Sequence, residues 1–102
     1  MSAGRIPLTI APGHPAFPGH FPGTPIVPGV VLLDEALHAI GISMDTDLSA
    51  CQINAVKFLS PVRPGEPVLV DYEVLKNGAI RFDIVSDQRK VAAGSVRAPI
   101  RE

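Results

Sequence analysis

Between His14 and Gly41 the sequence reads HPAFPGHFPGTPIVPGVVLLDEALHAIG, a stretch that leaves the backbone few choices. From Pro12 to Gly29 prolines and glycines recur so densely that neither a helix nor a strand ladder can form, because each proline fixes its φ and removes an N–H donor. Phe17, Phe21, Ile26 and Val27 punctuate the run with apolar anchors. It therefore reads as an ordered, stiffened loop rather than a linker, with proline lowering the entropy of the unfolded chain. The loop carries His20 and runs straight into an apolar segment that starts near Gly29 and ends at about Met44.

That segment reads as a helix. At about 100° per residue, Leu32, Leu33, Ala36, Leu37, Ala39 and Ile40 form one broad apolar arc. Asp34 points roughly away from the centre of the arc, and His38 follows it one turn later. Val30, Val31, Gly41 and Ile42 share that second side, so it does not read as a plain solvent face. A helix that is apolar nearly all round is buried nearly all round. The first arc is expected to face the sheet of its own chain and the second a partner protomer, which places Asp34 at a subunit interface.

Around the loop and helix the sequence reads as strand. Residues 5–11 form a first strand, with Pro7 suited to an edge or a strand start. After a loop at 44–50 come INAVKFL (53–59), a break at 61–65 and PVLVDYEVL (67–75), whose Val68, Val70, Tyr72 and Val74 share one face. Asn77-Gly78 is a two-residue hairpin signal, AIRFDIVS (79–86) alternates again, and KVAAGSVRA is the last strand, with Pro99 ending it. In that strand Ala92, Ala93 and Gly94 permit close packing. The order is strand, loop, one long helix, then an antiparallel meander of at least four strands, which is α+β with the helix packed on one curved sheet. The 102 residues read as a single domain, 1–102, with no internal repeat.

Composition excludes several classes. With 46% hydrophobic and 19% charged residues the chain is globular rather than disordered, and a net charge of -1 gives no general pull toward nucleic acid or an anionic membrane. The apolar helix is interrupted by Asp34, Glu35 and His38 and is too short to span a bilayer. No secretory leader is read at the N-terminus, and the lone Cys51 excludes an internal disulfide, so a cytoplasmic location is expected. Cys51 itself reads as a small hydrophobe in a strand.

Three features carry chemistry. His20 stands between Gly19 and Phe21 on the stiff loop. A lone loop histidine is ordinarily a surface residue, but rigid placement of an acid–base group is what catalysis requires. Asp34 sits in an otherwise apolar helix, and a desolvated carboxyl keeps its proton nearer neutrality and can act as a general acid; the alternative is an exposed or salt-bridged acid. Glu35 is turned about 100° away and reads as solvated or partner-contacting. His38 either hydrogen-bonds Asp34 and lines its cavity or is satisfied at an interface. At Gly29 the unpaired N–H groups of the helix start carry the positive end of its dipole and can bind a carbonyl oxygen on which charge develops. A base, an acid and an oxyanion site this close together suit removal of a proton beside a thioester carbonyl. The three histidines have no metal-ligand spacing, and glycine patterns for phosphate or dinucleotide binding are absent.

GHFPGTPIVPGVVLLDEAL closely resembles the signature of the β-hydroxyacyl-acyl carrier protein dehydratases of fatty acid synthesis. The match is close over residues 19–41, and the later strand order agrees across most of the chain. The resemblance implies the hotdog fold, a long helix wrapped by an antiparallel sheet, acting as a homodimer or a larger assembly, or as a heterodimer with a related subunit. It also implies no cofactor and an acyl carrier protein as partner. By the same resemblance His20 is the catalytic histidine, Asp34 rather than Glu35 is the acid, and the two meet from opposite subunits. The Gly29 N–H corresponds to the donor that binds the thioester carbonyl. Phe21, Val30 and His38 are candidates for lining the site, His38 standing where the glutamate branch often has glutamine. The aspartate branch includes enzymes that also isomerise the double bond.

The sequence is short before its first strand, where the family's tunnel-covering segment usually lies, so it also resembles small accessory dehydratases of polyketide-like or aryl polyene pathways. Acyl chain length is left open. Because carrier protein is acidic, Lys57, Arg63 and Arg97 are candidates to guide it, with ordinary surface charge as the alternative. The expected reaction is dehydration of 3-hydroxyacyl thioesters to trans-2-enoyl thioesters. The rivals are a thioesterase of the same fold, in which the helix acid activates water, and a non-catalytic acyl-binding subunit.

Overall fold

The structure is a computed structural model that describes residues 3–10 and 26–99. Strand β1 spans Ala3–Thr9, helix α1 Gly29–Met44, β2 Gln52–Phe58, β3 Pro67–Val74, β4 Ala79–Ser86 and β5 Arg89–Arg97. The first strand begins two residues before the expected one, and the helix has the bounds its apolar periodicity sets. His14, Phe17, His20 and Phe21 lie outside the described residues.

All five strands form one antiparallel sheet in the order β1-β3-β4-β5-β2. The expected four-strand meander holds only for β3, β4 and β5. The segment Ser60–Glu66 carries the chain from β2, at one edge, across to β3, beside the other. A hairpin turn forms at Asn77-Gly78, but as a three-residue loop, 76–78, rather than the expected two-residue one. The Leu75 N–H donates to the Ala79 carbonyl at 2.8 Å and the Gly78 N–H to the Leu75 carbonyl at 3.0 Å. Gly78 takes a left-handed φ of 88°, and the Ala79 N–H donates to Asn77 Oδ1 at 3.0 Å.

Alternation decides which face of the sheet is buried. Val68, Val70 and Tyr72 of β3, Ile80, Phe82 and Ile84 of β4, and Ala92 and Val96 of β5 are buried with Leu32, Ala36, Leu37 and Ile40 of α1. Leu33 and Ala39, at the margins of the expected arc, are half-buried, while Gly41, expected on the second side, is buried. Gly94 allows the closest approach in the sheet: a Cβ there would lie 2.5 Å from the Ala55 carbonyl oxygen and 2.9 Å from the Phe82 ring. The opposite face is open and charged. Arg5 pairs with Asp71 at 2.6 Å, Arg81 with Glu73 at 3.0 Å and Lys90 with Asp83 at 3.2 Å, each pair joining adjacent strands. Exposed pairs of this kind add little stability, and they mark the side that faces water.

The helix is about 24 Å long at 1.5 Å per residue. Its first residue, Gly29, lies against Phe58, the last residue of β2, and its last turn reaches β3, where Ser43 Oγ and the Tyr72 hydroxyl are 2.7 Å apart. It therefore crosses the sheet instead of following a strand.

Candidate active site

Helix α1 begins without a conventional cap. Pro28 offers no side-chain oxygen, no acid occupies the first turn, and the Pro28 carbonyl accepts the N–H of Val31 at 3.0 Å and of Leu32 at 3.1 Å. The Gly29 N–H thus stands at the positive end of the helix dipole with no side-chain cap. Beside it lies a cleft of about 370 Å³ walled by Val27, Leu32, Phe58, Leu59 and Val62. The Phe58 ring sits where a side chain on residue 29 would go, 3.0 Å from an ideal Cβ, so glycine keeps both the ring and the amide in place.

Farther along, Val30, Asp34, His38 and Ile42 recur every fourth residue and are all exposed, Val30 at 72% and Ile42 at 70%. They border a larger open cleft of about 1100 Å³, whose other wall is the loop from Asp45 to Cys51 together with Ile53. The structure brings Val30, Asp34 and His38 to one cleft and sets Gly29 at the adjoining one. Glu35 is half-buried and also borders the larger cleft. The burial expected of Asp34 is not supplied by its own chain, because helix periodicity tells which side opposes the core arc but not what covers that side.

Strand β2 continues this surface. It is a sheet edge with nothing paired on its outer side among the described residues, and Ile53, Phe58 and Leu59 are each about half exposed, at 52%, 51% and 50%. An apolar edge of this length is what a second strand would cover. The half-buried Cys51 lies immediately before β2 on the wall of the larger cleft, and burial raises its thiol pKa.

The three candidate cations do not form one patch. Lys57 on β2 and Arg63 in the following loop are exposed, with no ion pair to either side chain among the described residues. Arg97 pairs in register with Gln52, at the far end of β2 from Phe58, and its guanidinium donates to the Asn77 carbonyl at 2.6 Å. That bond ties β5 to the β3–β4 turn. Sequence reasoning missed Phe58 and Leu59 beside Gly29, since nothing local signals a contact across that separation. It also missed the wall of the larger cleft, which reads only as a polar loop.

No helix among the described residues is long and apolar enough to cross a membrane, and no cluster of three or more His, Cys, Asp or Glu among them could hold a metal ion.

Comparison with known proteins fits this architecture. A chain of the dehydratase heterocomplex ApeI:P from Xenorhabdus doucetiae superposes with a TM-score of 0.74 at 27% identity, covering 93% of this chain and 85% of that one. The fluoroacetyl-CoA thioesterase FlK superposes with a TM-score of 0.67 at 14% identity, over 93% of this chain and 82% of that one, a likeness of fold alone. The class is α+β with the hotdog fold, the described residues forming one helix against a five-stranded antiparallel sheet. Within it, residues 2–95 match the ApeI-like family, described as ApeI dehydratase, and the chain belongs to that family. The 3-hydroxyacyl-[acyl-carrier-protein] dehydratase FabZ of Blochmanniella pennsylvanica is 37% identical over 89 residues, covering 76% of this chain. The chain spans 59% of the length of that relative.

Proposed function

We propose that the protein is a cytoplasmic enzyme of fatty acid or related acyl-chain biosynthesis, a single domain that removes water from 3-hydroxyacyl thioesters on acyl carrier protein. The observation that carries this reading is the position of Asp34: an acid midway along an exposed, otherwise largely apolar stripe, facing an open cleft one turn beyond an uncapped Gly29 amide. Membership of a dehydratase family supports the reaction type.

In the proposed reaction His20 takes the proton from the carbon beside the thioester carbonyl. The Gly29 N–H donates to the carbonyl oxygen as it gains enolate character. Asp34 of the partner subunit protonates the departing hydroxyl; the C–O bond breaks, the C=C bond forms and water leaves. The histidine ends protonated and the aspartate ionised, and proton exchange with water resets both. The assignment of each proton follows the family resemblance, as does the role of Phe21 as a neighbour of the reacting carbons. A second copy of the chain, or a related subunit, covers β2 and the Val30–Ile42 stripe. That burial would desolvate the Asp34 carboxyl and bring His38 into the shared cavity. Lys57 and Arg63 remain as the cations to meet an acidic carrier protein.

The deciding experiment incubates the protein with 3-hydroxyacyl-carrier protein and resolves the products by mass. Loss of water upholds the proposal. Free acid identifies a thioesterase, and unchanged substrate an acyl-binding subunit.

A further inference from the structure

The Ser60–Glu66 segment between β2 and β3 is fastened from one side and does the fastening on the other. Glu66 Oε2 accepts the Ser86 hydroxyl at 2.6 Å and also the Arg89 guanidinium, while Glu66 Oε1 accepts the Arg63 N–H at 3.1 Å. Arg89 reaches the other end of the segment, donating to Ser60 Oγ at 2.6 Å and to the Pro61 carbonyl at 2.8 Å. One carboxylate and one guanidinium thus pin both ends of the segment to the turn between β4 and β5. From the pinned segment, the Val62 carbonyl accepts the Val27 N–H at 2.7 Å, and the Gly65 N–H donates to the Ile10 carbonyl at 2.7 Å. Ile10 and Val27 flank the stretch 11–25 that carries His20, and Val27 stands two residues before Gly29.

This pair differs from the ion pairs on the open face of the sheet. Those join strands that are already hydrogen-bonded and restrain nothing else. Glu66 is 24% exposed, both its oxygens are engaged, and Ser86 is, apart from Tyr72, the one buried residue with a polar side chain among the described residues. The Ser86 hydroxyl is the largest influence holding the Glu66 carboxyl below the usual glutamate range, followed by the Arg63 amide, with Arg89 acting in the same direction. The carboxylate therefore stays charged at neutral pH.

We infer that Glu66 and Arg89 are positioning residues for the dehydration, clamping Ser60–Glu66 so that Ile10, Val27 and, through Val27, the Gly29 amide keep fixed places. The inference rests on the dehydratase reading above. Neither residue lies at the cleft walls described for Asp34 or Gly29, so their effect passes through the backbone.

The test compares Glu66→Ala, Arg89→Ala and Arg89→Lys in the full chain, with Arg81→Ala as the control for loss of an exposed ion pair. Two readouts are taken: kcat and KM for 3-hydroxyacyl-carrier protein, and hydrogen exchange at the Val27 and Gly65 amides. The expected result in the two alanine variants is a fall in kcat of roughly 10- to 100-fold with KM within about threefold, since a misplacement near 1 Å can cost on the order of 100-fold. Exchange at both amides should quicken, Arg89→Lys should recover part of each effect, and Arg81→Ala should match the wild type. Unchanged kcat in Glu66→Ala, or lost kcat with exchange unaltered, overturns the inference. Should Glu66→Ala fail to fold, Glu66→Gln, which keeps an acceptor for Ser86, and Arg89→Ala decide it by the same outcomes. A wild-type protein without dehydratase activity would sink the functional proposal separately. The clamp would then stand or fall on exchange alone, with quickened exchange upholding it and unchanged protection overturning it.

Discussion

The Tyr72 hydroxyl and Ser43 Oγ lie 2.7 Å apart, joining the inner face of β3 to the last turn of α1. Tyr72 is buried, with 7% of its surface exposed, whereas Ser43 is open to water. Removing the serine therefore leaves a buried hydroxyl unpaired, while removing the tyrosine oxygen leaves a serine that water can satisfy. Tyr72→Phe should lower the unfolding free energy by about 1 kcal/mol. Ser43→Ala should cost roughly 1–3 kcal/mol, offset by about 0.5 kcal/mol of better helix propensity. Urea unfolding of the two variants and the double mutant measures the coupling.

Gly94→Ala should destabilise the sheet by roughly 1–3 kcal/mol, because its Cβ collides with the Ala55 backbone oxygen rather than with a yielding side-chain tip. A drop in the thermal midpoint reports the effect. Gly29→Ala is the informative contrast. It meets the Phe58 ring at 3.0 Å, on a side chain about half exposed and able to turn. Its loss should fall more on activity than on stability.

Much of the fold is legible in the sequence. The apolar run from Val30 sets α1, alternation sets the inner faces of β3 and β4, and Asn77-Gly78 sets the turn between them. Strand order was not legible, because Pro61, Pro64 and Gly65 read the same whether the chain turns back beside β2 or crosses to the other edge. Non-local pairing decides that. At the site, helix periodicity separates the directions of Asp34 and Glu35, but the choice of Asp34 as the acid comes from the family resemblance and not from its angle. What the acid faces depends on a second surface, and Phe58 meets Gly29 through tertiary packing that no local pattern announces.

Acid stability should depend on Glu66. Its folded carboxyl has a lowered pKa, so it contributes stability that is present above the ordinary glutamate value and lost as pH falls through the lower, folded value. Between neutral pH and the acid limb below the ordinary value, wild type should lose more unfolding free energy than Glu66→Gln. Parallel pH profiles from urea titrations would refute this.

Asp34→Asn should reduce dehydration by about 100- to 10,000-fold, the range for losing a general acid, with little change in the fold of a protomer on which the residue is exposed. His20→Ala should be comparably impaired. Mixing the two variants under conditions that exchange subunits should restore activity, because one pairing then unites an intact histidine with an intact acid. No recovery after demonstrated exchange would mean that the two residues act within one chain.

Ile42→Asp tests the stripe itself. On an isolated protomer a residue 70% exposed tolerates a charge at little cost. A shift from dimer to monomer in analytical ultracentrifugation, with activity lost alongside, is the expected outcome.

The start of α1 has one more consequence. Pro28 and the residues after it provide no side-chain acceptor for the first N–H groups, so among the described residues the helix start carries no side-chain cap of the kind most helices have in their own sequence. An acyl thioester whose carbonyl oxygen reached Gly29 would serve as that missing cap. Substrate would then be a structural component of the helix it binds, and a non-reactive thioester analogue should raise the melting temperature by ordering this end first.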